Sequence, residues 1–119
     1  MNVPADAFFE WKRLHKKNNP KYEVTVARRE PFALAGIWSP WKTKDGQLVP
    51  TVSIITSEPN EAMLEIHDRQ PVILQRRDYV EWFNRSDRPP VHLLRITPAE
   101  DMKVSLVEGH NMQLPLNSQ

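Results

Sequence analysis

At 119 residues the chain is long enough for one domain and too short for two. An apolar share of 39% with 11 prolines predicts a loop-rich fold, and four Trp and four Phe supply core material that a disordered chain lacks. The net charge of +1 excludes a global electrostatic case for nucleic acid, leaving only a local patch, and the absence of Cys excludes disulfides and thiolate metal sites.

No apolar run reaches membrane-spanning length, and the first residues lack the basic-then-apolar layout of a secretion signal. The expectation is a cytoplasmic chain with no membrane partner. Met1 to Asp6, with Pro4, reads as an opening loop. Ala7 to Lys12 is aromatic-rich and predicts a strand. Its period of two puts Phe8, Glu10 and Lys12 on one face, and Phe9 and Trp11 on the other. Leu14 to Lys21 reads as a basic hairpin loop, and Tyr22 to Ala27 alternates as the next strand. Arg28 to Pro31 predicts a turn and Ala33 to Trp38 a short buried strand, with Gly36 marking a close backbone approach. Ser39 to Lys42 is expected to leave the sheet. Lys44-Asp45-Gly46-Gln47 carries a turn signal, and Thr51 to Thr56 is the strongest strand pattern in the chain.

From Ser57 the character changes. Pro59 to Leu64 fits a short helix with Ser57 or Asn60 as its cap. Val72-Ile73-Leu74 is an apolar strand-like piece. Arg76 to Asn84 predicts an amphipathic helix with Tyr79, Val80 and Phe83 on one face and Trp82 at the rim. A polar loop to Pro90 and a short apolar piece, Val91 to Leu94, follow. A single turn begins at Thr97-Pro98, with Thr97 as N-cap. Lys103 to Val107 is the last strand, and residues 108–119 are expected to form a flexible tail. Strands first, then short helices mixed with strands, predict an α+β domain over residues 1–107. Its sheet is expected to be mainly antiparallel and curved, barrel-like, with short flanking helices.

Chemistry concentrates at Glu65-Ile66-His67-Asp68-Arg69-Gln70-Pro71, where an imidazole, a carboxylate and a guanidinium are consecutive. His suits proton transfer near neutral pH, and Arg offers a rigid fork of donors for phosphate or carboxylate. Glu10, far upstream, is expected to meet this stretch in space. Read alone, each has a plain alternative: Glu10 as a solvated strand residue beside Lys12, and the tripeptide as a turn before proline. The four His (His15, His67, His92 and His110) show no metal-ligand spacing, so no metal and no cofactor is expected. His92 reads as a core or rim histidine. No nucleophile elbow and no phosphate-cradling glycine loop is present.

Three blocks carry a resemblance. Val3-Pro4-Ala5-Asp6-Ala7-Phe8-Phe9-Glu10-Trp11 is similar to the Pro-Ala-Asp-Gly-Phe-Tyr-Glu-Trp block of the SOS response-associated peptidase (SRAP) family, the abasic site processing proteins. Ser53-Ile54-Ile55-Thr56, followed by Ile66-His67-Asp68-Arg69-Gln70-Pro71-Val72-Ile73-Leu74, resembles that family's second block. Trp82-Phe83, Leu94, Pro98 and Met102 resemble its closing segment. The blocks stand in family order and span most of the chain, and Ala7 replaces the usual Gly.

The resemblance implies a protein that recognises abasic sites in single-stranded DNA, where an N-terminal Cys attacks the ring-opened sugar aldehyde and forms a thiazolidine crosslink. It assigns Glu10 and His67 as catalytic proton handlers and Arg69 as a DNA-backbone contact. Lys12, Trp38 and Trp41 join Arg69 as expected DNA-binding residues, with Arg13, Lys16 and Lys17 nearby. The family's nucleophilic Cys and its Asn-Ala-Arg segment have no counterpart here. The expectation is therefore the C-terminal half of an SRAP domain, incomplete relative to the full family domain, that binds DNA without crosslinking it. An assembly module completed by a second chain or by self-association is the alternative. A hydrolase using Glu10 and His67 on another substrate is a third reading, and enzymatic activity, peptidase activity included, stays open.

Overall fold

The computed structural model describes residues 1–14, 19–27, 31–84 and 88–107. Its centre is one long strand, β4 (Phe32–Lys42), that serves two purposes along its length. The first half, Phe32-Ala33-Leu34-Ala35-Gly36, is buried, and the second half is exposed throughout. Strand β1 (Asn2–Ala5) and the short β8 (Ile73–Leu74) both pair with the buried half. Strand β5 (Leu48–Ile54) pairs with the rest, from Gly36↔Ile54 to Lys42↔Leu48. A second sheet runs in the order β2 (Phe8–Trp11), β3 (Lys21–Val26), β9 (Met102–Leu106). A third, two-stranded ladder joins β6 (Thr56–Ser57) to β7 (Gln70–Pro71). Every pairing is antiparallel, and the sheets do not close into a barrel among the described residues.

A strand buried on both sides reads as a continuous apolar run, and Phe32 to Ala35 is such a run. Phe32 and Leu34 face the second sheet, packing with Ile73, Val3, Phe8, Val26 and Met102. Ala33 and Ala35 face the other way, against Val72, Leu74 and Leu93, with Tyr79 and Trp82 over them. Small residues on that side let the short helical segments approach the sheet closely. Gly36 closes the buried run for a steric reason. A Cβ there would lie 2.9 Å from Val3 Cγ2 and 3.2 Å from Met1 Cγ, the close approach expected from the sequence. Met1 is held at the same point: its ammonium donates to Gly36 O (2.6 Å), and its carbonyl accepts from Gly36 N (2.8 Å) and Trp82 Nε1 (3.1 Å).

Several expectations are corrected. The opening loop is a strand, because β1 is an edge and the exposed Pro4 needs no donor on its outer side. Ser39 to Lys42 does not leave the sheet. It continues β4 into a hairpin with β5, where Pro40 faces Pro50 and the rungs on either side hold the ladder. The amphipathic helix is a single turn of 3-10 helix (Arg76–Asp78) followed by α2 (Tyr79–Phe83). Val80 and Phe83 point to solvent, while Tyr79 and Trp82 pack on the core. A short helix buries only the residues its docking angle selects, and here these are Tyr79 and Trp82 in place of Val80 and Phe83. The turn at Ala99–Asp101 is flanked by Pro98 and has no side-chain cap. His92 is exposed and pairs with Glu81 (2.9 Å) on the surface. The expected flexible tail and the basic loop residues Lys16 and Lys17 lie outside the described residues. No described helix is long and apolar enough to cross a membrane.

Candidate active site

The chain leaves the core sheet at Ile55 and returns to it at Val72. Three backbone bonds close this gate: Ile55 N to Ala35 O (2.9 Å), Val72 N to Ile55 O (2.8 Å) and Ala35 N to Val72 O (2.9 Å). The β6–β7 ladder seals the base of the excursion between them. Within it lies α1 (Glu61–Leu64), capped by Asn60, whose Oδ1 accepts from Met63 N at 3.0 Å. Of the two caps the sequence allowed, Asn60 is the one used.

Asn60 and Gln70 form a polar hub in an otherwise apolar setting. Gln70 is 0% exposed and Asn60 6%. Gln70 Oε1 accepts from Asn60 N (2.7 Å), and the Asn60 amide donates to Thr97 O (2.7 Å). Gln70 Nε2 reaches the same Thr97 carbonyl at 3.4 Å. Buried polar groups satisfied in this way hold one geometry firmly. The hub ties both ends of the segment 60–70 to the strand-β9 side of the molecule. Met63 and Ile66 pin its middle by burial, and His67 N donates to Met63 O (2.9 Å). Sequence reasoning missed the hub. Its only trace was a Gln between Arg69 and Pro71 where the pattern was turning apolar.

This scaffold brings His67 to Glu10. His67 Nε2 lies 3.7 Å from Glu10 Oε1, and both side chains are about a quarter to a third exposed, at 31% and 25%. That separation is an ion-pair distance too long for a direct hydrogen bond, with room for a small adjustment or a bridging atom. Glu10 sits on the inner face of β2 with Phe8, as the strand period predicted, while Phe9 and Trp11 point outward. The two stretches expected to meet do meet.

The other ring nitrogen is equipped for either protonation state. Arg69 N donates to His67 Nδ1 (3.1 Å) when that nitrogen is bare. Arg69 O at 3.2 Å and Asp68 Oδ1 at 3.2 Å stand ready to accept when it carries a proton. The proton on Nδ1 decides which of these neighbours it bonds, and together they hold the ring in place. A cavity of about 460 Å³ opens here, lined by Arg13, Ile66, His67 and Asp68. Its lining charges are mixed, a carboxylate at Asp68 and a guanidinium at Arg13, with the Glu10 carboxylate beside His67.

Arg69 is held on the neighbouring strand. Its Nε donates to Thr56 Oγ1 (3.1 Å) and its Nη2 to Thr56 O (2.9 Å). These bonds fix the guanidinium plane at the surface. Lys12 closes the β2–β3 hairpin through its backbone N to Pro20 O (2.9 Å). Trp38 and Trp41 lie on another element, the β4–β5 hairpin, on opposite faces, and both are more than half exposed. Outside the site, a second cavity of about 430 Å³ is bounded by Val26, Phe32, Ile73, Tyr79 and Arg95 and shares no lining residue with the first. Among the described residues no group of His, Asp and Glu is arranged to hold a metal ion.

Comparison with known proteins agrees with this arrangement of blocks. The family model for the SOS response associated peptidase, SRAP, matches residues 1–111. The chain is 40% identical over 110 residues to the abasic site processing protein YoqW of Bacillus subtilis (strain 168), covering 90% of this chain and 49% of that protein. It is 27% identical over 119 residues to the abasic site processing protein HMCES of Xenopus tropicalis, covering 84% of this chain and 36% of that one. A crystal structure of a protein from Bacteroides thetaiotaomicron superposes with a TM-score of 0.76 at 30% identity, over 91% of this chain and 49% of that chain. The chain spans about half the length of the curated Bacillus relatives it matches. On the family match and the identity to YoqW together, the chain belongs to the SOS response-associated peptidase family.

Proposed function

We propose that this chain recognises single-stranded DNA at an abasic site and opens the abasic sugar between Glu10 and His67. The observation that supports this most is the 3.7 Å approach of His67 Nε2 to Glu10 Oε1, residues far apart in sequence, beside a cavity that His67 lines. Relatives 40% and 27% identical to this chain are named abasic site processing proteins.

The geometry suits ring opening of a hemiacetal. The Glu10 carboxylate takes the proton of the anomeric hydroxyl, the bond from the anomeric carbon to the ring oxygen breaks, and protonated His67 delivers a proton from Nε2 to that oxygen. The product is the open aldehyde. Asp68 and the Arg69 carbonyl accept from Nδ1 while the ring is charged. An abasic site has no base to read, so affinity rests on phosphates and on stacking of the neighbouring bases. Arg69 and Lys12, next in sequence to the cavity-lining Asp68 and Arg13, supply charge in this reading. Trp41 stands on one face of the hairpin with Ile37, Ser39, Val49, Thr51 and Ser53, and Trp38 on the opposite face. Both offer stacking surfaces in this reading.

The 119 residues contain no thiol, so they cannot form a thiazolidine. The chain is expected to bind abasic DNA and expose the aldehyde without trapping it stably. The test is incubation with an oligonucleotide carrying one abasic site, resolved on a denaturing gel. Borohydride is expected to trap an imine through Met1 or a Lys, with no heat-stable band when borohydride is omitted. A heat-stable band without borohydride would overturn the reading that no stable crosslink forms. Equal affinity for intact and abasic strands would overturn the abasic-site reading itself.

A further inference from the structure

We propose that the second cavity, of about 430 Å³, is a binding site for a small amphiphilic anion, an apolar body carrying one carboxylate. Its apolar wall is built from Val26, Phe32, Ile73, Leu93 and Ile96. Phe32 and Ile73 belong to the core on one side of β4 and Leu93 to the core on the other. The wall is therefore set by the packed core rather than by loose surface side chains. Its volume lies within the range of about 300–1,000 Å³ usual for small-molecule sites, which combine an apolar lining with a few placed polar groups. The charged lining residues are Arg76, Arg95 and Asp101, so cations outnumber carboxylates.

Arg95 is the anchor. Its Nη1 donates to Gln75 Oε1 (2.9 Å), and Gln75 lines the same cavity. Its Nη2 lies 3.8 Å from Asp78 Oδ2, on a side chain only 10% exposed. Arg77 Nε stands 3.9 Å from the other oxygen of that carboxylate. Asp78 Oδ2 is buried and has no hydrogen-bond partner among the described residues. Stability gives little reason for this arrangement, because a buried carboxylate is best served by direct hydrogen bonds. What the carboxylate does from this distance is restrain a guanidinium. With Gln75, it keeps Arg95 at the cavity wall. Gln75 takes one donor of the fork, and the others remain for a ligand. A guanidinium edge matches a carboxylate through two parallel bonds, which assigns the head group of the ligand. Asp101 on the same lining disfavours a ligand of several negative charges. The inference does not depend on the abasic-site reading, since the two cavities share no lining residue.

The experiment titrates the full chain with sodium octanoate at neutral pH, followed by NMR. Saturable binding with a Kd of about 1 mM or tighter is expected. The shifts are expected at the Gln75 side-chain amide, the Arg95 Nε–H and the methyl groups of Leu93 and Ile96. Octanol, of similar length without charge, and octylamine, of opposite charge, are each expected to bind at least about tenfold more weakly. Arg95→Gln removes the partner of the carboxylate, and Ile96→Trp, at a position 46% exposed, fills the cavity. Each is expected to weaken octanoate at least about tenfold. Melting curves compare their folds with that of the unmodified chain, and Ile96→Trp leaves the Arg95–Asp78 pair in place. Trp38→Lys on the β4–β5 hairpin is expected to change the affinity by less than about twofold. Absence of saturation by octanoate overturns the proposal. So does equal binding of octanol or octylamine, affinity unchanged in both cavity variants, or shifts confined to the hairpin.

Discussion

Gln70 is the residue on which the placement of His67 most depends, although it touches no expected substrate atom. Its amide is buried and bonded to Asn60 N and the Thr97 carbonyl. Gln70→Leu leaves the Asn60 amide hydrogen without a partner, and an orphaned buried donor costs about 1–3 kcal/mol. Urea denaturation is expected to show that loss. Spectra of the folded variant are expected to show a displaced His67 ring. A change below about 0.5 kcal/mol would mean that the hub is dispensable. Arg69 gives the opposite pattern. It is exposed and its guanidinium bonds Thr56, so Arg69→Ala is expected to change stability by less than about 1 kcal/mol. DNA affinity is expected to fall with it, together with a weaker salt dependence. Titration by fluorescence anisotropy at two salt concentrations checks both effects. Of the site, Glu10 and His67 were legible in the sequence because their types and motifs carry chemistry. The hub was not: Asn60 was legible only as a helix cap, and Gln70 signals nothing until its burial is known.

At the scale of elements, the hairpin tip and α2 make separate expectations. The tip is a tight turn in which Thr43 N donates to Gln47 O (2.8 Å) and Gly46 N to Thr43 O (3.0 Å). Gly46 has φ +85, a conformation a β-branched residue adopts only under strain. Gly46→Val is expected to destabilise the hairpin by about 1–2 kcal/mol, read as lower amide protection across β4 and β5. The Thr43 hydroxyl donates to Asp45 at 2.6 Å and holds its carboxyl below the ordinary value of 3.8. A depressed carboxylate contributes stability that is present above its unfolded pKa and lost as pH falls through the folded one. The turn is therefore expected to loosen on acidification, seen as a shift of the Gly46 and Gln47 amide resonances that Thr43→Val abolishes. In α2, Trp82 packs on the core and donates to Met1 O, whereas Val80 is 71% exposed. Trp82→Ala is expected to cost about 2–3 kcal/mol and Val80→Ser less than about 0.5. The strands of β2, β3 and β9 were legible from alternation. The helix face was not, because a short helix offers too few residues for periodicity to choose a side. The continuation of β4 through Pro40 was hidden by the usual reading of proline as a strand stop, which fails where the facing residue is also proline.

The whole molecule is open in form. Its radius of gyration is 17.3 Å, with extents of 57 × 44 × 22 Å. A compact chain of this length would have a radius of gyration of about 13–14 Å. The hairpin formed by the second half of β4 and by β5 is exposed along its length. The fold class was legible in the order of its elements. The openness was not, because composition reports how much apolar material exists and not how much of it finds cover. The abasic-site reading stands apart from this openness, since Glu10 and His67 are brought together within the chain by its own sheets and hub. The most direct measurement follows the His67 imidazole by NMR during titration with single-stranded DNA, with or without one abasic site, and His67→Ala assigns the signal. The His67 resonances are expected to shift with the abasic strand and to stay nearly unchanged with the intact one. Glu10→Gln is expected to remove most of that difference. Shifts confined to other residues, with His67 unperturbed by abasic DNA, would contradict the account.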